Sequence, residues 1–313
     1  MGKVFVNKDN KIRLGFKLII FILVYSIFTT LFMNILIEFV RIKVIKAAPG
    51  IKGYLQAQNY LISNQIGLTL SKLVDTMTIF IVIFILLKVL DNKGLKDIGF
   101  NSISENRFEL LCGLILGAVS MTIVFILLLV SNNIVLSNSL IKPNFSSSIL
   151  IGIPLFILVA ISEETICRGY ILNILNQMEK PWLSVVMSSA IFAVMHIANP
   201  NAKLVGILNI FLVGLLFSFM YIRTKSLWMP IGYHFTWNYF QGNIFGFPVS
   251  GQTQQSGIYI IKSIKENIFT GGAFGPEGGI LTSIVIIAGM IFVWKFTNKW
   301  RSEGAPIGTD GGV

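Results

Sequence analysis

Residues 148–170 read SILIGIPLFILVAISEETICRGY. An apolar run long enough to lie in lipid leads directly into two adjacent carboxylates, Glu163 and Glu164, with Arg168 four residues after the second. Charge inside a membrane helix is costly, on the order of 2.5 to 3.5 kcal/mol per group at the bilayer centre, so such residues carry partners or a task. In a helix Glu164 and Arg168 stand at i and i+4 on one face and can pair, while Glu163 is turned about 100° away and is left over.

Outward from this stretch the same composition continues. The 313-residue chain is 54% hydrophobic and 12% charged, about half the charged share of an ordinary soluble domain. Apolar runs of about twenty residues each suffice to cross a hydrocarbon core about 30 Å thick. Eight are read, at 14–40, 66–90, 108–135, 148–175, 181–199, 203–223, 227–245 and 279–298. The expectation is an all-α integral membrane protein with about eight transmembrane helices in one bundle. Its membrane domain covers 14–299 between a cytoplasmic segment 1–13 and a flexible cytoplasmic tail 300–313. The first run is longer than the apolar core of a signal peptide and is expected to be a retained anchor.

A formal charge of +11 raises the question of a nucleic-acid partner. The basic residues answer it by their places, which are helix ends. With residue 1 in the cytoplasm, inner segments hold fifteen Lys and Arg and outer segments eight, so both termini are expected in the cytoplasm. The excess then faces anionic lipid of the bilayer, and no nucleic acid is expected as a partner. Cys112 and Cys167 both lie in apolar runs, which excludes a disulfide framework and a CxxC metal pattern. The glycine-rich GGAFGPEGG at 271–279 lacks the lysine of a phosphate loop and reads as a turn into the last helix.

The chain has two histidines, and both fall in later apolar runs. His196 closes FAVMH, one turn after Phe192, and His234 opens HFTWN, one turn before Asn238. At about 1.5 Å per residue, His196 lies about 21 Å from Trp182 and His234 about 10 Å from Leu227, depths compatible with one cavity near the midplane. Glu and His polarise a water, and neutral His and Asn N–H groups donate to a developing oxyanion. These are the parts needed to hydrolyse an amide without a covalent intermediate.

EETICR, FAVMH and HFTWN resemble the EExxxR, FxxxH and HxxxN/D motifs of the CAAX-protease and bacteriocin-processing family, also called the ABI family, which includes the type II CAAX prenyl endopeptidases. The resemblance implies an intramembrane glutamate protease with its catalytic core at 148–245. Glu163 is then the general base, acting with His196 on a water, and His234 and Asn238 stabilise the oxyanion. Glu164 and Arg168 take a structural and electrostatic role, and Phe192 is a wall. A membrane-associated peptide or protein is the implied substrate, processed in the manner of a CAAX protein, a bacteriocin or a leader peptide. Lys-, Asn- and Ile-rich composition favours a bacterial plasma membrane.

Four rival readings are weighed beside this one. Ser162 and Cys167 flank the glutamates as conceivable nucleophiles, without the glycine pattern of a nucleophile elbow. Glu163, His196 and His234 would supply the three ligands of a catalytic zinc, although the chain lacks HExxH; no cofactor is the expectation. A non-enzymatic immunity or partner-binding protein would use the polar cluster only to tie helices together. A transporter is disfavoured, because no inverted repeat is visible.

Overall fold

The computed structural model describes residues 13–252 and 257–302. The expected N-terminal segment and C-terminal tail lie outside them, apart from Arg13 and the last helical turn. The described chain is a bundle of helices. In chain order these are α1 Leu14–Phe39, α2 Ile51–Ser63, α3 Gln65–Leu86, α4 Arg107–Val130, α5 Ser147–Glu164, the short α6 Leu172–Leu175, α7 Pro181–Met195, α8 Leu204–Thr224, α9 Trp228–Tyr239 and α10 Ile280–Ser302. Two short strands, β1 Ile134–Leu136 and β2 Ile261–Ile264, pair antiparallel and tie together the long connections at one end of the bundle.

All eight apolar runs are helical, but they are not equal. Six helical stretches among the described residues have the length and hydropathy to cross a membrane: Leu14–Val44, Gln65–Asp91, Arg107–Val130, Ser147–Met178, Leu204–Thr224 and Ile280–Asn298. The protein is therefore an all-α integral membrane protein, while the count of eight crossing helices gives way to six of crossing length and two shorter ones. The 15 residues of α7 span about 22 Å, and the 12 of α9 about 18 Å before a wide turn extends it. These two carry the histidines. α7 stops because the chain turns at His196, its C-cap, and α9 is buried along nearly its whole length.

The seat of α9 is a close backbone approach. Gly113 and Gly117 on α4 lie against it. A Cβ at Gly113 would stand 2.2 Å from the Met229 carbonyl oxygen, and one at Gly117 2.3 Å from that of Tyr233. This small-xxx-small spacing lets two membrane helices pack backbone to backbone, where dispersion rather than burial from water holds them. It also fixes the face that His234 presents.

The stretch 41–65, between the first two apolar runs, is not a plain connection. It contains α2, whose Gly53, Ala57 and Leu61 are buried while Ile51, Leu55 and Ile62 are exposed. The glycine-rich 271–279 turn leads into α10 as expected. Asn209 of α8 pins it, donating through Nδ2 to the carbonyls of Glu277 (2.7 Å) and Gly279 (2.9 Å) and accepting from Ser283 Oγ (2.6 Å). At the opposite end of the bundle, the fully buried Lys17 of α1 pairs with Asp91.

Candidate active site

The site begins with a change of helix pitch. After Glu164 the helix widens into a π-type turn over Thr165–Ile171 before α6, a feature frequent where side chains must be re-aimed. Glu164 and Arg168 keep their i, i+4 pairing, with Arg168 Nη1 donating to Glu164 Oε1 at 3.0 Å and both side chains fully buried. Arg168 Nη2 donates to the Gly214 carbonyl on α8 at 3.0 Å. Glu163, the residue left over by the helical count, keeps 18% of its side chain exposed and faces a cavity.

Both histidines converge on it. His196 Nε2 and His234 Nε2 each lie 3.8 Å from Glu163 Oε2, and that oxygen is buried without a hydrogen-bond partner. Such a separation is too long for a direct hydrogen bond. An oxygen about 2.8 Å from Oε2 and from either ring nitrogen fits the same triangle. The spatial expectation from the sequence, one acid and two imidazoles from three separate helices around one cavity, matches where the structure places them.

The remaining ring nitrogens set the tautomers. His196 Nδ1 is 2.8 Å from the Phe192 carbonyl, which only accepts, so Nδ1 carries the proton. His234 Nδ1 lies 2.9 Å from Glu164 Oε1, the oxygen that also accepts from Arg168, and it donates as well. Each Nε2 therefore carries a lone pair in the neutral ring. It donates only in the imidazolium. The expectation that a neutral His234 donates to an oxyanion does not fit this arrangement. Glu164 Oε1 thus accepts from Arg168 on one side and from His234 on the other, a position from which it would balance an imidazolium.

Aromatic rings enclose the charges. The Arg168 guanidinium sits 4.4 Å from the Phe192 ring centroid and 5.2 Å from that of Phe217. The Phe192 ring is 4.9 Å from His196 and 6.1 Å from His234, and Phe217 stacks on His234 at 5.3 Å. Phe192 lines the cavity. Phe217 had no signal in the sequence, being one phenylalanine among 25. Asn238, one turn beyond His234, is buried and lines the same cavity.

The cavity has a volume of about 1030 Å³. Its wall includes Glu163, His196, His234 and Asn238, and, nearer the mouth, Gln65, Lys72, Asn199, Ser250 and Glu277. The mouth lies at the bundle end holding the starts of α3, α8 and α10, opposite the end where α1 begins and α10 finishes. Ser162 and Cys167 do not line it. Ser162 is fully buried and donates to the Val159 carbonyl at 3.0 Å, and Cys167 is fully buried 3.9 Å from the Met195 sulfur.

The donor types, two imidazoles and a carboxylate, suit zinc, but the distances do not. Ligand atoms on a tetrahedral zinc with bonds of about 2.0 to 2.1 Å stand about 3.3 Å apart, half an ångström closer than the 3.8 Å separations here. Among the described residues no group of three or more His, Cys, Asp or Glu forms a metal-holding arrangement.

Residues 145–240 match the family model described as Type II CAAX prenyl endopeptidase Rce1-like. This segment holds all three motifs, and it bears out the resemblance drawn from them. The chain is 34% identical over 88 residues to an "Uncharacterized 24.3 kDa protein" of Escherichia coli, covering 28% of this chain and 40% of that one. It is 30% identical over 128 residues to "Putative membrane peptidase YdiL" of Bacillus subtilis, covering 39% of this chain and 48% of the relative. The chain spans less than half the length of these curated relatives. No solved structure matches it.

Proposed function

We propose that the protein is an intramembrane endopeptidase that hydrolyses a peptide bond of a membrane-associated peptide or protein. The observation that carries this reading is the convergence of His196 Nε2 and His234 Nε2 on one unpartnered oxygen of Glu163, inside a cavity. The family match over the same residues supports it.

In this mechanism Glu163, assisted by the Nε2 lone pair of neutral His196, takes a proton from a water whose oxygen adds to the scissile carbonyl carbon. The oxyanion that forms receives the Nε2–H of His234, as the imidazolium balanced by Glu164, and the side-chain amide of Asn238. Collapse of the tetrahedral intermediate breaks the C–N bond. Glu163 passes its proton to the leaving nitrogen, giving a carboxyl and an amine end. Glu163, His196, His234 and Asn238 are the catalytic residues of this proposal. Arg168 and Glu164 are positioning residues, and Phe192 and Phe217 exclude water from the buried charges.

The substrate is assigned by class. The mouth is at the outer face if the positive-inside distribution sets topology with both chain ends in the cytoplasm of a bacterial plasma membrane. A secreted or self-immunity peptide, a bacteriocin or a leader peptide is then met there after it reaches that face.

The test is mass spectrometry of membrane peptides from cells making wild-type protein or Glu163→Gln at equal levels. Peptides cut only with the wild type are expected. An identical pool in both would overturn the reading and favour a non-enzymatic immunity or partner-binding role. In the alternative form Glu163, His196 and His234 would hold a zinc that would activate the water, an arrangement their 3.8 Å separations disfavour. Turnover that survives exhaustive chelation supports the metal-free form, and loss restored by zinc supports the other.

A further inference from the structure

Helix α3 carries two charges within its apolar span, Lys72 and Asp75, and both line the cavity. Charges there are expensive enough to need a reason, and the mechanism above does not use them. Lys72 Nζ lies 3.0 Å from Asp75 Oδ2, and Tyr25 of α1 donates to Asp75 Oδ1 at 2.5 Å. Both carboxylate oxygens of Asp75 are engaged. An ammonium has three N–H donors, of which Asp75 takes one. The adjacent Ser71 hydroxyl also lines the cavity and is without a partner. This wall has hydrogen-bond donors to spare, which is the complement of a carboxylate.

Its distance from Glu163 follows from helix register. α3 and α5 run in the same direction and are pinned by Gln65 Nε2 donating to the Ser148 carbonyl (3.0 Å) and Thr76 Oγ1 to that of Leu158 (3.4 Å). Lys72 precedes Thr76 by four residues and Glu163 follows Leu158 by five. Nine residues of rise at about 1.5 Å each place the Lys72 backbone about 13 Å nearer the mouth, and its long side chain brings the ammonium close enough for its charge to act on the Glu163 carboxylate. An extended peptide covers the backbone offset in about four residues, so the ammonium reaches a point within about four residues of the reacting centre.

We propose that Lys72 is a specificity-determining residue that binds a carboxylate of the substrate, within about four residues of the bond that is cut and on the mouth side of it. This rests on the peptidase reading above. Asp75 and Tyr25 are positioning residues that hold the ammonium against the wall. The carboxylate is either a chain terminus or an acidic side chain.

The experiment measures binding of fluorescent apolar decapeptides to the full-length Glu163→Gln protein in nanodiscs, so that nothing is turned over. One peptide series carries a free terminal carboxylate, a second a single Glu at successive positions, and a third the amide and Gln counterparts. Lys72→Met is expected to weaken a carboxylate series by about 10-fold or more, the contribution of a charge-assisted hydrogen bond. Amide counterparts are expected to change less than about twofold, and Lys72→Arg to retain the preference. The series affected identifies the source of the carboxylate. Equal losses for acid and amide peptides, or no loss for either, would overturn the proposal. Tyr25→Phe releases the α1–α3 tie but keeps the cation, and it should preserve the discrimination; its loss there would make the cluster structural. Failure of the peptidase reading appears separately, as absence of turnover in the wild type with the binding preference intact.

Discussion

Removing one member of the Arg168–Glu164 pair tests how the site is held. Both side chains are fully buried, and the pair sits on His234 Nδ1, the Gly214 carbonyl and two phenylalanine rings. Arg168→Met leaves Glu164 buried with only His234 for company. Glu164→Gln leaves the Arg168 cation with the Gly214 carbonyl and two rings. Breaking a buried pair by removing one partner costs about 3 to 5 kcal/mol, because the remaining charge is uncompensated, whereas replacing both by apolar or neutral groups is far cheaper. The double variant Arg168→Met/Glu164→Gln is therefore expected to be more stable than either single one, with a coupling of about 2 kcal/mol or more. Equilibrium unfolding of the detergent-solubilised protein reads this directly. Turnover separates stability from function, since His234 loses its carboxylate in Glu164→Gln and in the double variant alike. Both should fall by about 10- to 100-fold in rate, the loss expected when the carboxylate that orients a working histidine is removed. Additive stabilities, with the double variant the weakest of the three, would refute the reasoning, as would wild-type turnover in Glu164→Gln.

Asn238→Ala is expected to lower the rate of the chemical step by about 100-fold or more with little change in KM, since one oxyanion donor is lost; steady-state kinetics on a cleaved peptide would show it. Ser162→Ala and Cys167→Ala should retain turnover, because both side chains are buried off the cavity; loss of covalent labelling or of activity in either would instead point to a nucleophile. Gly214→Ala would place a Cβ 3.0 Å from Ser189 Cβ and 3.3 Å from Arg168 Nη2, a crowding expected to cost about 1 to 3 kcal/mol of stability in the same unfolding assay.

The spans and the local pairing were legible without coordinates. An apolar run long enough for a bilayer is a property of contiguous residues, and Glu164 meets Arg168 because a helix brings i and i+4 together, which the π-type turn after Glu164 does not undo. The spare glutamate and the two histidines were readable as candidates because charge and imidazole in lipid need explaining. The Gly113–Gly117 spacing that seats α9 was also in plain view, as a small-xxx-small pattern. Lys72 and Asp75 are charges three residues apart in an apolar run, but nothing local says that they share a cavity with Glu163.

Other features were decided by tertiary structure alone. The lengths of α7 and α9, which leave six helices of crossing length among the described residues, depend on where His196 turns the chain and on how the bundle encloses the second helix. Phe217 stacks on His234 only because α8 passes beside α9. The tautomers depend on which carbonyl or carboxylate another turn or another helix sets against each Nδ1. Helical periodicity fixes the angle between side chains on one helix to within a few tens of degrees, but the rotation and depth of one helix against another come from non-local packing. Which atoms face Glu163 is a question of that second kind.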